Sequence, residues 1–165
     1  MAYKFVPLGI TKEAVAAFDI GEHVPYLLNL VTITTFGLFE DRLKEHDLAL
    51  GAWRILAVLH KAGPLRVREL LQRTVIEPPT LSRLLAGLEK RGFLARAQSD
   101  DDARGVLVQP TPEGLALADT LVPHALRVEE EILQGFTTDE RDFLIRLLKR
   151  MHANLLAPQA PMIRS

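Results

Sequence analysis

Apolar residues recur at helical spacing in six stretches of this chain, and a seventh stretch reads as a β-hairpin. The most apolar stretch runs from Tyr26 to about His46 and carries Leu27, Leu28, Leu30, Val31, Ile33, Phe36, Leu38, Phe39 and Leu43. No charge falls between Tyr26 and Phe39, and Pro25 suits the opening turn. A helix that is apolar on nearly every side must be covered on nearly every side. In a chain of 165 residues the natural cover is a second subunit.

Four more helices and the hairpin follow before the last helix. One helix spans about Ala52 to Lys61, with Trp53, Leu56, Ala57 and Leu59 for the core, and Gly63-Pro64 ends it. A short one covers roughly Val67 to Arg73. The link Thr74-Val75-Ile76-Glu77 leads to a helix that opens on Pro78-Pro79, where missing N–H groups cost little, and stops at Gly92. A short strand, the acidic turn Ser99-Asp100-Asp101-Asp102-Ala103-Arg104 and the return strand Gly105-Val106-Leu107-Val108 make the hairpin. Thr111-Pro112-Glu113 starts a helix to about Gln134, expected to be interrupted or bent at Pro123. Thr137 and Glu140 have capping-box spacing ahead of Phe143, Leu144, Leu147, Leu148, Met151 and Leu155. The segment before Pro25 reads as an arm, and the tail from Pro158 as loose.

A wheel of residues 80–91 separates two faces. Leu81, Leu84, Leu85 and Leu88 fall on one side; Pro79, Arg83, Ala86, Gly87 and Lys90 lie opposite, flanked by Thr80 and Ser82. Small residues let such a helix sink into a major groove, and an arginine can offer a bidentate fork to guanine or hold a phosphate. The competing reading of this helix alone is an ordinary amphipathic helix with solvated cations. The hairpin that follows favours the DNA-reading one.

Charge sharpens the picture. The whole chain has a net charge of −1, yet residues 52–98 hold nine basic and three acidic side chains. The segments on either side are net acidic. Positive charge therefore gathers where phosphates would be met. Arg66 and Arg68 join the exposed cations of the helix as candidate contacts. In the hairpin, Arg104 is expected to enter a minor groove, and Asp102 to hold Arg104 or a neighbouring arginine in place.

These motifs resemble a known family. Leu50-Gly51-Ala52-Trp53-Arg54, Thr80-Leu81-Ser82-Arg83, Leu88-Glu89-Lys90-Arg91-Gly92 and Asp102-Ala103-Arg104-Gly105-Val106-Leu107-Val108 are similar, in order and spacing, to the winged-helix core of the multiple-antibiotic-resistance regulator (MarR) family. The resemblance implies a mainly α fold with a small β-hairpin wing. Its parts would be an arm and dimerisation helix (1–48), a winged helix-turn-helix (49–110) and C-terminal dimerisation helices (111–165). It implies a cytoplasmic homodimer that binds a palindromic double-stranded DNA operator, usually as a repressor, and answers to a small effector. Major-groove contact would fall to Thr80, Ser82 and Arg83 and minor-groove contact to Arg104. The chain departs from the family at Glu77, in place of a shorter cap, at Pro78-Pro79, at Pro110, and in the lack of basic residues along the first long helix.

The resemblance implies an effector pocket where the dimerisation helices meet the winged helix, with Tyr26, Thr32, Thr35, Phe36 and Trp53 as candidate lining. A small aromatic compound or organic acid would suit it; the competing reading assigns these residues to core and dimer interface. No cofactor or metal is expected: the chain has no cysteine, and its five histidines stand singly. No phosphate-binding loop, nucleophile elbow or dinucleotide fingerprint supports an enzyme. No apolar run reaches membrane-spanning length, and the first ten residues lack a signal peptide's pattern. The remaining alternative is a winged-helix protein–protein interaction module without sequence-specific DNA binding.

Overall fold

Each expected helix forms in the computed structural model, which describes residues 11–99 and 102–156. Helix α1 is Lys12–Ala16, followed by a 3-10 turn at Ile20–Glu22; α2 is Val24–Glu45, α3 Leu50–Ala62, α4 Val67–Thr74 and α5 Pro78–Lys90. Helix α6 is Pro112–Ile132 and α7 Thr138–Leu156. Strand β1 is Leu65–Arg66, β2 Leu94–Ser99 and β3 Asp102–Pro110. Among the described residues, no helix is long and apolar enough to cross a membrane.

The sequence pattern missed three features. The arm contains α1, capped by the Thr11 hydroxyl accepting from Ala14 N–H at 3.2 Å. Strand β1 exists, and it makes the hairpin a three-stranded antiparallel sheet in the order β1-β3-β2. Third, Asp102, Ala103 and Arg104 belong to β3 instead of the turn, because pairing runs on to Ser99–Asp102 through an irregularity at Gln98/Ser99. Helix α6 also passes through Pro123 without interruption. The proline removes one donor, and both it and the Asp119 side chain one turn earlier are exposed, so water can serve the freed carbonyl.

Packing divides the described residues into two units, with the boundary between Ala125 and Leu126. The core of the first is built from Ile55, Leu56 and Leu59 of α3, Leu70 of α4, Leu81, Leu85 and Leu88 of α5, Leu94 and Val108 of the sheet, and Ala118 and Leu121 of α6. Trp53 meets Phe39 edge-on, with ring centroids 5.5 Å apart, and joins α2 to α3. His60 Nε2 lies 2.8 Å from Asp119 Oδ1, linking α3 to α6. In the second unit, Thr137 and Glu140 form the expected capping box, with Thr137 N–H donating to Glu140 Oε2 at 2.8 Å and Glu140 N–H to Thr137 Oγ1 at 3.3 Å.

Helix α2 buries only Phe39 and Leu43. Leu27, Leu30, Val31, Ile33 and Leu38 stay exposed, Ile33 at 61% and Val31 at 57%. Contiguous apolar exposure on this scale marks an interaction surface.

Candidate nucleic-acid interface

Helix α5 is held by one face and presents the other. Leu81, Leu85 and Leu88 are fully buried and Leu84 is half-buried against the core. Gly51 of α3 sits so close that a Cβ there would meet Leu84 Cδ1 at 2.7 Å. On the opposite face Pro79, Ser82, Arg83, Gly87 and Lys90 are exposed, and Thr80 is half-exposed beside them. The structure therefore brings together six of the candidate DNA contacts on one helical surface.

The start of α5 is unusual in its donors. Glu77 occupies the cap position with an extended backbone and makes no side-chain cap bond. Pro78 and Pro79 carry no N–H, and Leu81 N–H is already bonded to Glu77 O at 2.9 Å. Thr80 alone, among residues 78–81, offers a free backbone donor at the positive end of the helix. Side chains must therefore supply most of the polar contact.

Arg68 is exposed in the first turn of α4, whereas Arg66 is half-buried where β1 passes into that helix. Arg66 N–H donates to Glu69 Oε2 at 2.8 Å, so the backbone of this residue secures the helix start. Among the described residues, Arg68, Arg83 and Lys90 enter no ion pair and remain available to an anionic partner. The side chains of Asp102 and Arg104, like the turn residues Asp100 and Asp101, lie outside the described residues.

Two arginines that the sequence reading had not singled out hold this surface in shape. Arg96 of β2 makes a charge-assisted contact to Glu89 of α5 through both Nε and Nη2. The Arg96 hydrogen bond holds the Glu89 carboxyl below its ordinary value, and the Arg96 guanidinium is raised in turn. This pair ties the wing to the helix. Arg91, at the end of α5, donates from Nη1 to Asp47 O at 2.5 Å and from Nη2 to His46 O at 2.6 Å. Its guanidinium also lies 4.9 Å from the centre of the Phe93 ring. Neither arginine could be placed by spacing, because Arg91 bonds backbone carbonyls more than forty residues away and the Arg96–Glu89 pair joins a strand to a helix.

The wing is fastened on its other side by β1, where Leu65 pairs with Val108 and Arg66 with Leu107. At its base, Thr111 Oγ1 donates to Gly92 O at 2.6 Å and accepts from Gly114 N–H at 3.1 Å.

A groove of about 500 Å³ opens along α2 and the start of α3, lined by Ile33, Phe36, Gly37, Glu40, Leu43, Lys44, Leu48, Ala49 and Leu50. Of the five candidate effector residues, only Phe36 lines it. Thr35 is its neighbour on α2, Tyr26 and Thr32 are exposed on the same helix, and Trp53 packs in the core against Phe39. Lys44 Nζ lies 3.3 Å from Glu40 Oε2, so the groove's only ionic groups already face each other.

Comparison with known proteins agrees with this geometry. Residues 46–105 match the family model described as MarR family. The HTH-type transcriptional regulator YkoM of Bacillus subtilis is 32% identical over 108 residues, covering 65% of this chain and 70% of its own. Among solved structures, a MarR-family transcriptional regulator from Silicibacter pomeroyi superposes with a TM-score of 0.79 at 30% identity, over 88% of this chain and 98% of the other. BpsR of Bordetella bronchiseptica, whose DNA binding is regulated by 6-hydroxynicotinic acid, gives 0.70 at 26% identity, over 81% and 97%.

Proposed function

Since this chain belongs to the MarR family and is a helix-turn-helix transcriptional regulator, we propose that it works as a homodimeric repressor released from a palindromic operator by a small organic effector. The observation that carries the DNA-reading part is the exposed face of α5, where Thr80, Ser82, Arg83, Gly87 and Lys90 combine small side chains with cations that enter no ion pair among the described residues. Arg83 and Lys90 take phosphates or base edges, Arg68 takes a flanking phosphate, and Arg104 enters the minor groove with Asp102 as its brace. Its place of work is the cytoplasm, with the DNA it reads.

The apolar face of α2 supports the dimer, because a second copy is the partner that covers it symmetrically. Two α5 helices related by a two-fold axis then meet major-groove half-sites about one helical turn apart. The groove around Phe36 supports the effector, a small aromatic compound or organic acid whose ring takes the apolar wall and whose polar group meets Lys44 or Glu40. A winged helix used only to bind protein is disfavoured, since the relatives are named as transcriptional regulators.

The test is selection of duplexes from a random pool, followed by binding of the winning site across a range of salt. Wild-type protein should enrich a palindrome. Arg83→Ala should either lower the slope of log affinity against log salt by about 0.9, for a lost phosphate contact, or relax one base position at a cost of about 1–3 kcal/mol. Failure to enrich any sequence would overturn the proposal.

A further inference from the structure

The junction between α2 and α3 is bounded by space on two sides. On one side lies the groove of about 500 Å³, reached by Phe36, Gly37, Leu43, Leu48 and Ala49. On the other is a cleft of about 170 Å³ that separates the junction from Arg83, Gly87 and Arg91 of the recognition surface. Leu48 and Ala49 line both cavities. A junction with room behind it can yield when something fills the groove in front.

The junction is also a defined backbone device. Asp47 adopts the left-handed conformation at φ 49°, with Asp47 N–H bonded to Lys44 O and Leu48 N–H to Leu43 O, both at 2.9 Å. This arrangement serves the carbonyls of α2 and turns those of His46 and Asp47 outward. Arg91 takes both, bridging the cleft with one planar fork, while Phe93 supports its guanidinium from beside the wing. Arg91 is itself the last residue of the α5 turn, whose end is closed by Gly92 N–H to Glu89 O at 2.9 Å and Phe93 N–H to Leu88 O at 3.0 Å. One side chain therefore joins the ends of two helices, the groove-lining one and the DNA-reading one.

We propose that Arg91 is a positioning residue that transmits occupancy of the groove to the recognition helix. The inference rests on the groove being the effector site. Filling the groove displaces Leu48 and Ala49, the carbonyls of His46 and Asp47 move with them, and the fork of Arg91 carries the end of α5 along. With its fork turned to the carbonyls of His46 and Asp47, Arg91 is assigned a positioning role and not a phosphate contact.

A groove-filling substitution tests this without an identified effector. A Cβ on Gly37 meets nothing within 4 Å, so Gly37→Phe places a ring in the groove, and Gly37→Val is the milder filler if the ring splits the dimer. Affinity for the duplex selected by the wild-type protein is measured for the filler alone, for Arg91→Ala, for Arg91→Lys and for the combinations, all confirmed as dimers by sedimentation. The filler should lower affinity about tenfold when Arg91 is present, within the usual range of coupling between sites. It should cost less than about twofold in the Arg91→Ala background, a non-additivity expected of linked positions. Arg91→Lys, a single point donor, should restore part of the coupling. The salt slope of Arg91→Ala should match wild type.

An equal loss in both backgrounds overturns the relay and leaves the groove reading standing. No loss from either filler in the wild-type background overturns the groove reading itself, and the relay with it. A salt slope lowered by about 0.9 in Arg91→Ala makes Arg91 a phosphate contact and overturns the relay alone.

Discussion

Gly114→Ala adds one methyl group at the point where α6 leaves the base of the wing. A Cβ there would lie 1.9 Å from the carbonyl oxygen of Phe93, and real Cβ contacts essentially never fall below 3.0 Å. The first turn of α6 must therefore retreat by about 1 Å, the difference between those two distances. That movement strains the bonds from Thr111 N–H to Phe93 O at 3.2 Å and from Thr111 Oγ1 to Gly92 O at 2.6 Å. Two weakened bonds at about 1 kcal/mol each and about 2 kcal/mol of overpacking, less about 1 kcal/mol of helix propensity, leave a loss of about 3 kcal/mol. The matched control is Gly87→Ala, where a Cβ meets nothing within 4 Å on the exposed side of α5. It should gain up to about 1 kcal/mol. Urea and thermal melts at one fixed protomer concentration, which holds the proposed assembly constant, would read both variants. Gly114→Ala should melt roughly 6–12 °C below wild type for a chain of this size. A change within about 0.5 kcal/mol of wild type, or a shift of both variants in the same direction, would refute the close-approach argument.

Two further outcomes follow from the same packing. Val31→Asp puts a charge on the most apolar part of α2, so sedimentation should show monomer and operator binding should fall; a stable dimer would move the interface elsewhere. Glu89→Gln removes a carboxylate that Arg96 holds below its ordinary value of 4.5. Such a group stabilises the fold at pH above that value and loses its effect as pH falls through the lowered one. The variant should therefore melt below wild type at pH 7, with the gap closing as the pH falls below the ordinary carboxylate range; a gap that widens in acid would contradict the pairing.

The helices were legible because their signals are local. Leu81, Leu84, Leu85 and Leu88 announce the buried face of α5 by spacing alone, and Gly92, at φ 75°, ends it. Thr111 and Thr137 marked helix starts that the hydrogen bonds realise. Strand β1 was not legible, because two residues cannot show alternation and its partner, β3, lies some forty residues further on. Pro123 suggested a break because propensity counts the lost donor and not the long helix that tolerates it. At the interface, residue type and helical position were enough to group Pro79, Thr80, Ser82, Arg83, Gly87 and Lys90. The tasks of Arg91 and Arg96 were hidden, since backbone carbonyls are everywhere and a cross-element ion pair has no fixed spacing. Lining the groove depends on how α2 meets α3, which is why only Phe36 of five candidates reached it.

The two-residue strand β1 has a consequence for the range of operators this regulator can accept. Because β1 runs directly into α4 and pairs with β3, the front and back of the reading head are stitched together before α5 begins. The wing and α4 therefore move as one piece, like one jaw of a calliper. In the homodimer proposed above, half-sites of altered spacing would be met by changing the gap between two such jaws, and an effector that displaced α5 would alter that same gap.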